Sequence, residues 1–214
     1  VPTFIVPGNW DQSYGHTRIQ DADKSNFNYK KAFLDSYLNS KGINKQLIKD
    51  LNNIYDTQYQ LCETEEFNII GYGLSSAPEE IKNTGKLGKK KIQILKNTYN
   101  NILNKLTKEY EKRNKKKLTI FLSHNTPYGT KLDTITDKNS YVFNQHLGSS
   151  IAKDFINKAN PEICLSGHIH DHFGEDKIKK TKIINAGFGS NKNVLLEIKN
   201  NKISSIKFQN NKNN

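Results

Sequence analysis

The chain has 214 residues, 34% of them apolar, enough for one domain that buries roughly 70% of its unfolded surface. Its 33 basic and 21 acidic residues give a formal net charge of +12, which suits a nucleic-acid partner, but every basic residue except Arg18 and Arg113 is Lys. Arg is the side chain that grips phosphate bidentately, so a solvated basic surface is the simpler account. No apolar run reaches the roughly 18 residues that a membrane-spanning helix needs, and Cys62 and Cys164, far apart and in no CxxC, suit a reducing cytoplasm rather than a disulfide scaffold.

In chain order, "VPTFIVPGN" predicts a short buried strand that ends at a Pro-Gly turn. Residues 25–51 carry two helical patterns broken near Gly42, and "FNIIGYGLSS" predicts a second strand running into a Gly-rich loop. The spacing of Ile92, Leu95, Tyr99, Ile102, Leu103 and Leu106 predicts a helix over 79–116. Its end, "EKRNKKK", puts cations where the helix dipole favours them. "LTIFLSHNTPYG" predicts a strand that delivers Ser123 and His124 to a loop. "SSIAKDFINKANP" predicts an amphipathic helix with Ile151, Phe155 and Ile156 inward and Pro161 past its stop. "EICLSGHIH" repeats the strand-then-histidine pattern, "TKIINAGFGS" is a further strand, and "NVLLEIKNNKISSIKF" is a hairpin turning at "KNNK", before a frayed tail. Strands alternate with helices early and cluster late, which gives a layered α/β or α+β domain.

Three of these strands end on loops that carry metal-binding side-chain types: Asn9, then His124, then His168 with His170. A sheet holds such ends rigidly, so side chains distant in sequence converge there. Gly167 allows a sharp turn, and the two imidazoles after it reach adjacent metal positions. An amide oxygen from Asn9 beside imidazole nitrogen suits a borderline divalent ion such as Mn, Fe or Zn. A single His such as His124 is, taken alone, more often a hydrogen-bonded structural residue. There is no CxxC, no P-loop Lys-Ser/Thr and no GxSxG, so zinc-finger, nucleotide-cradle and α/β-hydrolase chemistry lack their key residues.

Taken in order, "GNWD", "SHNTPYG" and "GHIH" resemble the calcineurin-like metallophosphoesterase superfamily. Its motifs run Asp-X-His, Gly-Asp, Gly-Asn-His-Asp/Glu, a lone His and Gly-His-X-His. "PYGTKLD" and the stretch from "HLGSSIAKDF" to "KIINAG" look like its Icc-related archaeal branch. The resemblance implies an α+β fold, a four-layer αββα sandwich, as a single domain over 1–214. The family's first two motifs find no match and the chain has no Met, so an N-terminally incomplete copy lacking its first strand-helix units is expected. The implied activity is that of a binuclear metal-dependent phosphoesterase, whose metal-bound hydroxide attacks a small phosphodiester or phosphomonoester in line. A metal-dependent nuclease and an inactive phosphoesterase-fold binding module are the alternatives.

Under this resemblance Asn9, His124 and His168 bind one of two divalent ions and His170 binds the other. Trp10 stands where the family usually has His; an indole supplies an N–H or an apolar wall but no titratable proton. His146, just ahead of "LGSS", is then the candidate that approaches the substrate, unless it caps and packs. Asp11 is expected to orient the turn behind the ligands, and Tyr128 to line the pocket or fill the core. His16 and His172 are expected to be solvated, and Asn185 to be structural.

Overall fold

The computed structural model describes residues 2–8, 53–73, 88–189 and 191–210. The helical patterns of 25–51, and Asn9, Trp10, Asp11 and His16, lie outside the described residues. Within them run β1 (Thr3–Ile5), β2 (Ile54–Asp56), β3 (Leu61–Glu63), β4 (Phe67–Tyr72), α1 (Lys89–Glu111) and β5 (Leu118–Asn125). There follow α2 (Ser150–Ala159), β6 (Ile163–Gly167), β7 (Gly174–Ile178), β8 (Thr181–Asn185), β9 (Lys192–Lys199) and β10 (Lys202–Asn210).

Side chains alternate across a strand, and here both faces of the central sheet are apolar. Ile70, Tyr72, Phe121, Cys164 and Ile183 point to one face, where Ile102, Leu106 and Tyr110 of α1 and Ile151, Phe155 and Ile156 of α2 cover them. Ile69, Leu118, Ile120, Ile163 and Ile184 point to the other, packed against Phe4 and against Val194, Leu196, Ile198, Ile203, Ile206 and Phe208 of the β9–β10 hairpin. The described residues therefore stack a helical layer, a six-stranded sheet and a second β layer, as the α+β reading expected. Strand order in the sheet is β3-β4-β5-β6-β8-β7, with β4, β5, β6 and β8 parallel and β3 and β7 antiparallel to their neighbours. All four parallel strands consequently end on the same edge.

Local signals explain the boundaries of α2. Ser149 caps its N-terminus by accepting from Ala152 N, and Asn160 ends it in the left-handed conformation. The hairpin turns at Asn200 and Asn201, both with positive φ (51° and 57°), as two-residue hairpin turns require. Three expectations need correction. The helix expected to reach residue 116 stops at Glu111, because Lys112–Lys117 fold into a turn whose Asn114 exchanges hydrogen bonds with buried Asn68 of β4. Helix α1 also begins at Lys89 rather than 79, since Gly88 is extended. The first strand is half-buried rather than buried: Thr3 is exposed, while Phe4 stacks on Tyr55 of its parallel partner β2.

Candidate metal centre

The edge where the parallel strands end is where open α/β sheets gather their chemistry. Pairing of β5 with β6 runs Ser123 to Ser166 and then Asn125 to Gly167, so His124 is an extra residue in the ladder. A bulge of this kind re-aims a side chain. On the neighbouring strand, Ile169 N donates to Gly167 O at 2.8 Å, and His168 between them sits at φ 68°. The sharp turn was expected at Gly167; the left-handed residue is His168 instead. Such a conformation in a non-glycine residue costs on the order of 1–2 kcal/mol, and strain of this kind concentrates at functional sites.

These two departures bring the rings of His124 and His168 together, with centroids 4.6 Å apart and planes inclined by 54°. Burial pushes the His124 pKa down to about 4, with the nearby His168 and His170 adding to the effect. Burial, followed by His170, also holds His168 below the usual imidazole range. Both rings are thus neutral at pH 7, the form that binds metals. His170 is exposed and stacks face to face on Phe188, with centroids 3.9 Å apart and planes 18° from parallel. Phe188 carried no signal in the sequence. Its partnership with His170 depends on the β8–β9 loop folding back.

Polar side chains pin this edge from below. Asn185 is fully buried; its Nδ2 donates to Ile169 O at 2.8 Å and its Oδ1 accepts from Gly187 N at 2.9 Å, the structural part expected of it. Thr126 Oγ1 donates to Gly167 O at 3.2 Å, and Ser166 Oγ donates to Ile184 O at 2.8 Å. Asn125, beside His124, donates through Nδ2 to Leu147 O at 2.8 Å, while its buried Oδ1 has no hydrogen-bond partner among the described residues. The segment leading to Asn9 also arrives here. Pro7 is buried against Gly73 at the end of β4, where an added Cβ would lie 2.3 Å from the Pro7 carbonyl oxygen.

The loop from Pro127 to Gly148 covers one flank. Its centre is Asp133, fully buried, whose Oδ2 accepts from Gly129 N at 2.9 Å and Gly148 N at 3.1 Å. Its Oδ1 lies 2.7 Å from His146 Nδ1. Gly148 has no room for a side chain, because a Cβ there would stand 2.5 Å from Asp133 Oδ2 and 2.6 Å from Thr126 O. Tyr128 is half-buried, with its ring edge-on to His146 at 5.8 Å. His172, expected to be solvated, is half-buried and bonds through Nε2 to Thr134 O at 2.6 Å. Sequence spacing gave no hint of the Asp133–His146 pair, which exists only because the loop closes on itself.

Two adjacent neutral imidazoles, with a third on the same loop, are a donor set that fits a borderline divalent cation. They do not complete its coordination: among the described residues no group of three His, Cys, Asp or Glu side chains is placed to hold a metal ion. Asn9, the further ligand expected, lies outside the described residues.

The family model described as calcineurin-like phosphoesterase matches residues 1–172. No curated protein matches the chain. One crystal structure aligns over 98% of this chain and 88% of its own, at 16% identity and a TM-score of 0.55, which is a likeness of fold. The crystal structure of a Thermus thermophilus protein, TT1561, aligns over 98% of this chain and 72% of its own, at 16% identity and a TM-score of 0.47. With the family model matched over most of its length and its histidines gathered where the parallel strands end, the chain belongs to the calcineurin-like phosphoesterase family.

Proposed function

We propose that this protein hydrolyses a small phosphodiester or phosphomonoester at the C-terminal ends of β4, β5 and β6, with two divalent cations of the Mn, Fe or Zn kind. The observation that carries this is the meeting of two half-buried imidazoles, His124 and His168, on adjacent strand ends of a chain in this family. When bound, a cation pair activates water and offsets charge on the phosphoryl oxygens.

The chain's own residues supply the holding and the orientation. His124, aimed by its bulge, and His168, aimed by its left-handed backbone, hold one cation together with Asn9. His170 holds the other. Phe188 fixes the plane of the His170 ring by stacking on its face, which leaves the ring nitrogens, lying in that plane, open to coordinate. The hydrogen bonds from Asn185 and Thr126 keep the Gly167–Ile169 turn from relaxing. Asp11 is assigned to the turn behind the ligands, and Tyr128 to the wall beside His146.

Among the described residues no helix is long and apolar enough to cross a membrane. Cys62 and Cys164 are free, which accords with a reducing compartment and, in this proposal, the cytoplasm. The net charge of +12 favours a second reading, a nuclease. Its DNA affinity must fall steeply with salt, and an affinity that barely moves removes it.

The test is turnover of bis-p-nitrophenyl phosphate by the full chain with added Mn, alongside metal analysis. His124→Ala and His168→Ala are each expected to lower turnover by about 100-fold or more and to lower bound metal. Full activity in either variant overturns the assignment. Wild-type chain that neither binds metal nor turns over ester is the inactive module instead.

A further inference from the structure

Of the histidines in the described residues, His124, His168 and His170 are assigned to cations and His172 is bonded to Thr134 O. His146 remains, and its setting is unlike theirs. A fully buried carboxylate, Asp133, holds its Nδ1 at 2.7 Å, yet 43% of the His146 side chain is exposed. Asp133 Oδ2 already accepts two backbone N–H groups, so this side chain acts as an acceptor and Nδ1 of His146 must carry the donated proton. The opposite nitrogen, Nε2, makes no hydrogen bond among the described residues. A buried Asp that fixes the tautomer and direction of a half-exposed imidazole is the arrangement that readies the far nitrogen for proton transfer.

Position supports this use. His146 is tied to both histidine-bearing loops. On one side, Asn125, next to His124, donates to the carbonyl of Leu147, and Ser149 N donates to Thr126 O at 2.7 Å. On the other, His146 forms a β-bridge with Thr134, whose carbonyl accepts from His172, two residues after His170. Asp171 reinforces that side by accepting from Thr136 N at 2.6 Å and Asp137 N at 3.1 Å. The segment that carries His146 is therefore tied to both loops assigned to cations.

We propose that His146, held by Asp133, is the proton donor to the leaving oxygen of the phosphoester; the proposal rests on the phosphoesterase reading above. In the step, the oxygen of a water bonds to phosphorus and that water loses a proton to solvent. The bond from phosphorus to the leaving oxygen breaks, its electron pair stays on that oxygen, and His146, acting as an imidazolium whose Nδ1–H the Asp133 carboxylate holds, passes its Nε2 proton to it. Solvent then returns a proton to Nε2. Such help matters most where the departing oxygen is a poor leaving group, because a stable phenolate needs little of it.

The experiment is a leaving-group series run on the full chain with Mn: p-nitrophenyl, phenyl and alkyl phosphoesters of one type. For His146→Gln, turnover of the p-nitrophenyl ester is expected within about 3-fold of wild type, and that of the phenyl and alkyl esters to fall about 10²- to 10⁴-fold. The activity retained on the first ester shows that the variant folds. Asp133→Asn is expected to reproduce the trend, because it removes the carboxylate that stabilises the imidazolium. An equal loss on every ester, or no loss on any, overturns the donor and leaves the hydrolase reading standing. Absence of turnover by wild type on all of them overturns the hydrolase reading and the donor with it.

Discussion

Asp133 offers the sharpest test of how the site's flank is built, because two substitutions of this one residue should differ clearly in cost. In Asp133→Ala, Gly129 N, Gly148 N and the His146 ring lose their acceptor together. Both backbone groups are only partly buried, so each unmet donor is placed at about 1–2 kcal/mol, the lower part of the usual range. The sum, about 2–4 kcal/mol, corresponds to a fall in Tm of roughly 5–15 °C for a chain of this length. Asp133→Asn differs. One oxygen, Oδ2, serves both backbone donors in the native protein, and an Asn carbonyl can take that place. Its amide then faces His146 Nδ1 and must donate to it, which moves the ring proton to Nε2. The expected cost is only the lost charge assistance, about 0.5–1.5 kcal/mol. Thermal melts followed by circular dichroism measure the stabilities, and long-range proton–nitrogen correlation reads the His146 tautomer. Equal melting losses in the two variants, or an unchanged tautomer in Asp133→Asn, would refute this account of the loop.

Three further outcomes follow from burial and packing. Phe155 is fully buried, with ring centroids 4.6 Å from Phe121 and 5.7 Å from Tyr110, so Phe155→Ala should cost about 3–5 kcal/mol in urea unfolding; a loss below about 1 kcal/mol would contradict the packing. Burial pushes the Cys164 thiol far up and that of half-buried Cys62 less so, hence thiol titration should find Cys164 unreactive until denaturant is added. In chelator-treated protein, NMR should show His124 neutral down to about pH 4. Its folded pKa lies below the unfolded value of about 6.5, so the unfolded chain binds the proton first. Stability is whole above about pH 6.5 and should decline as pH falls toward 4, by on the order of 1–3 kcal/mol given the partial exposure. A melting temperature flat across that window would refute it.

Much of the frame was legible because its signals are local. The spacing of Ile151, Phe155 and Ile156, with Pro161 past the stop, wrote α2, and the apolar runs at 67–72 and 118–122 wrote β4 and β5. Strands β2, β3 and β7 were missed. "IYD", "LCE" and "GEDKI" are short and partly polar, and only hydrogen-bonding neighbours make strands of them. The site divides the same way. The histidine spacing pointed to His124, His168 and His170, and the structure brings the first two into contact. It gave no account of how they are aimed: the bulge at His124 comes from pairing with β6, and the left-handed turn fell one residue after the glycine that was expected to make it. The Asp133–His146 pair and the Phe188 stack, both products of loop closure, carried no signal at all.

The two ends of the sheet use buried polarity differently, and the difference bears on function. At the starting ends of the strands, Asn68 binds the turn after α1 and Thr181 donates to Pro161 O, which fixes where chains enter the sheet. At the finishing ends Ser123, Asn125, Thr126, Asp133, Ser149, Ser166 and Asn185 are all buried. Burying a polar group is unfavourable unless it is bonded, and many of these bonds go to loop backbone: Gly167 O, Ile169 O, Leu147 O, Gly129 N and Gly148 N. Each bond removes one way for the histidine-bearing loops to relax. That matters for His168, since a strained backbone persists only where its surroundings over-determine it. Burial disfavours a charge on either His124 or His168, and two charged rings would repel, so their contact is most favourable while both stay neutral. A rigid polar floor beneath two neutral imidazoles, one of them on a strained backbone, is what a site needs if it is to meet a cation without first reorganising.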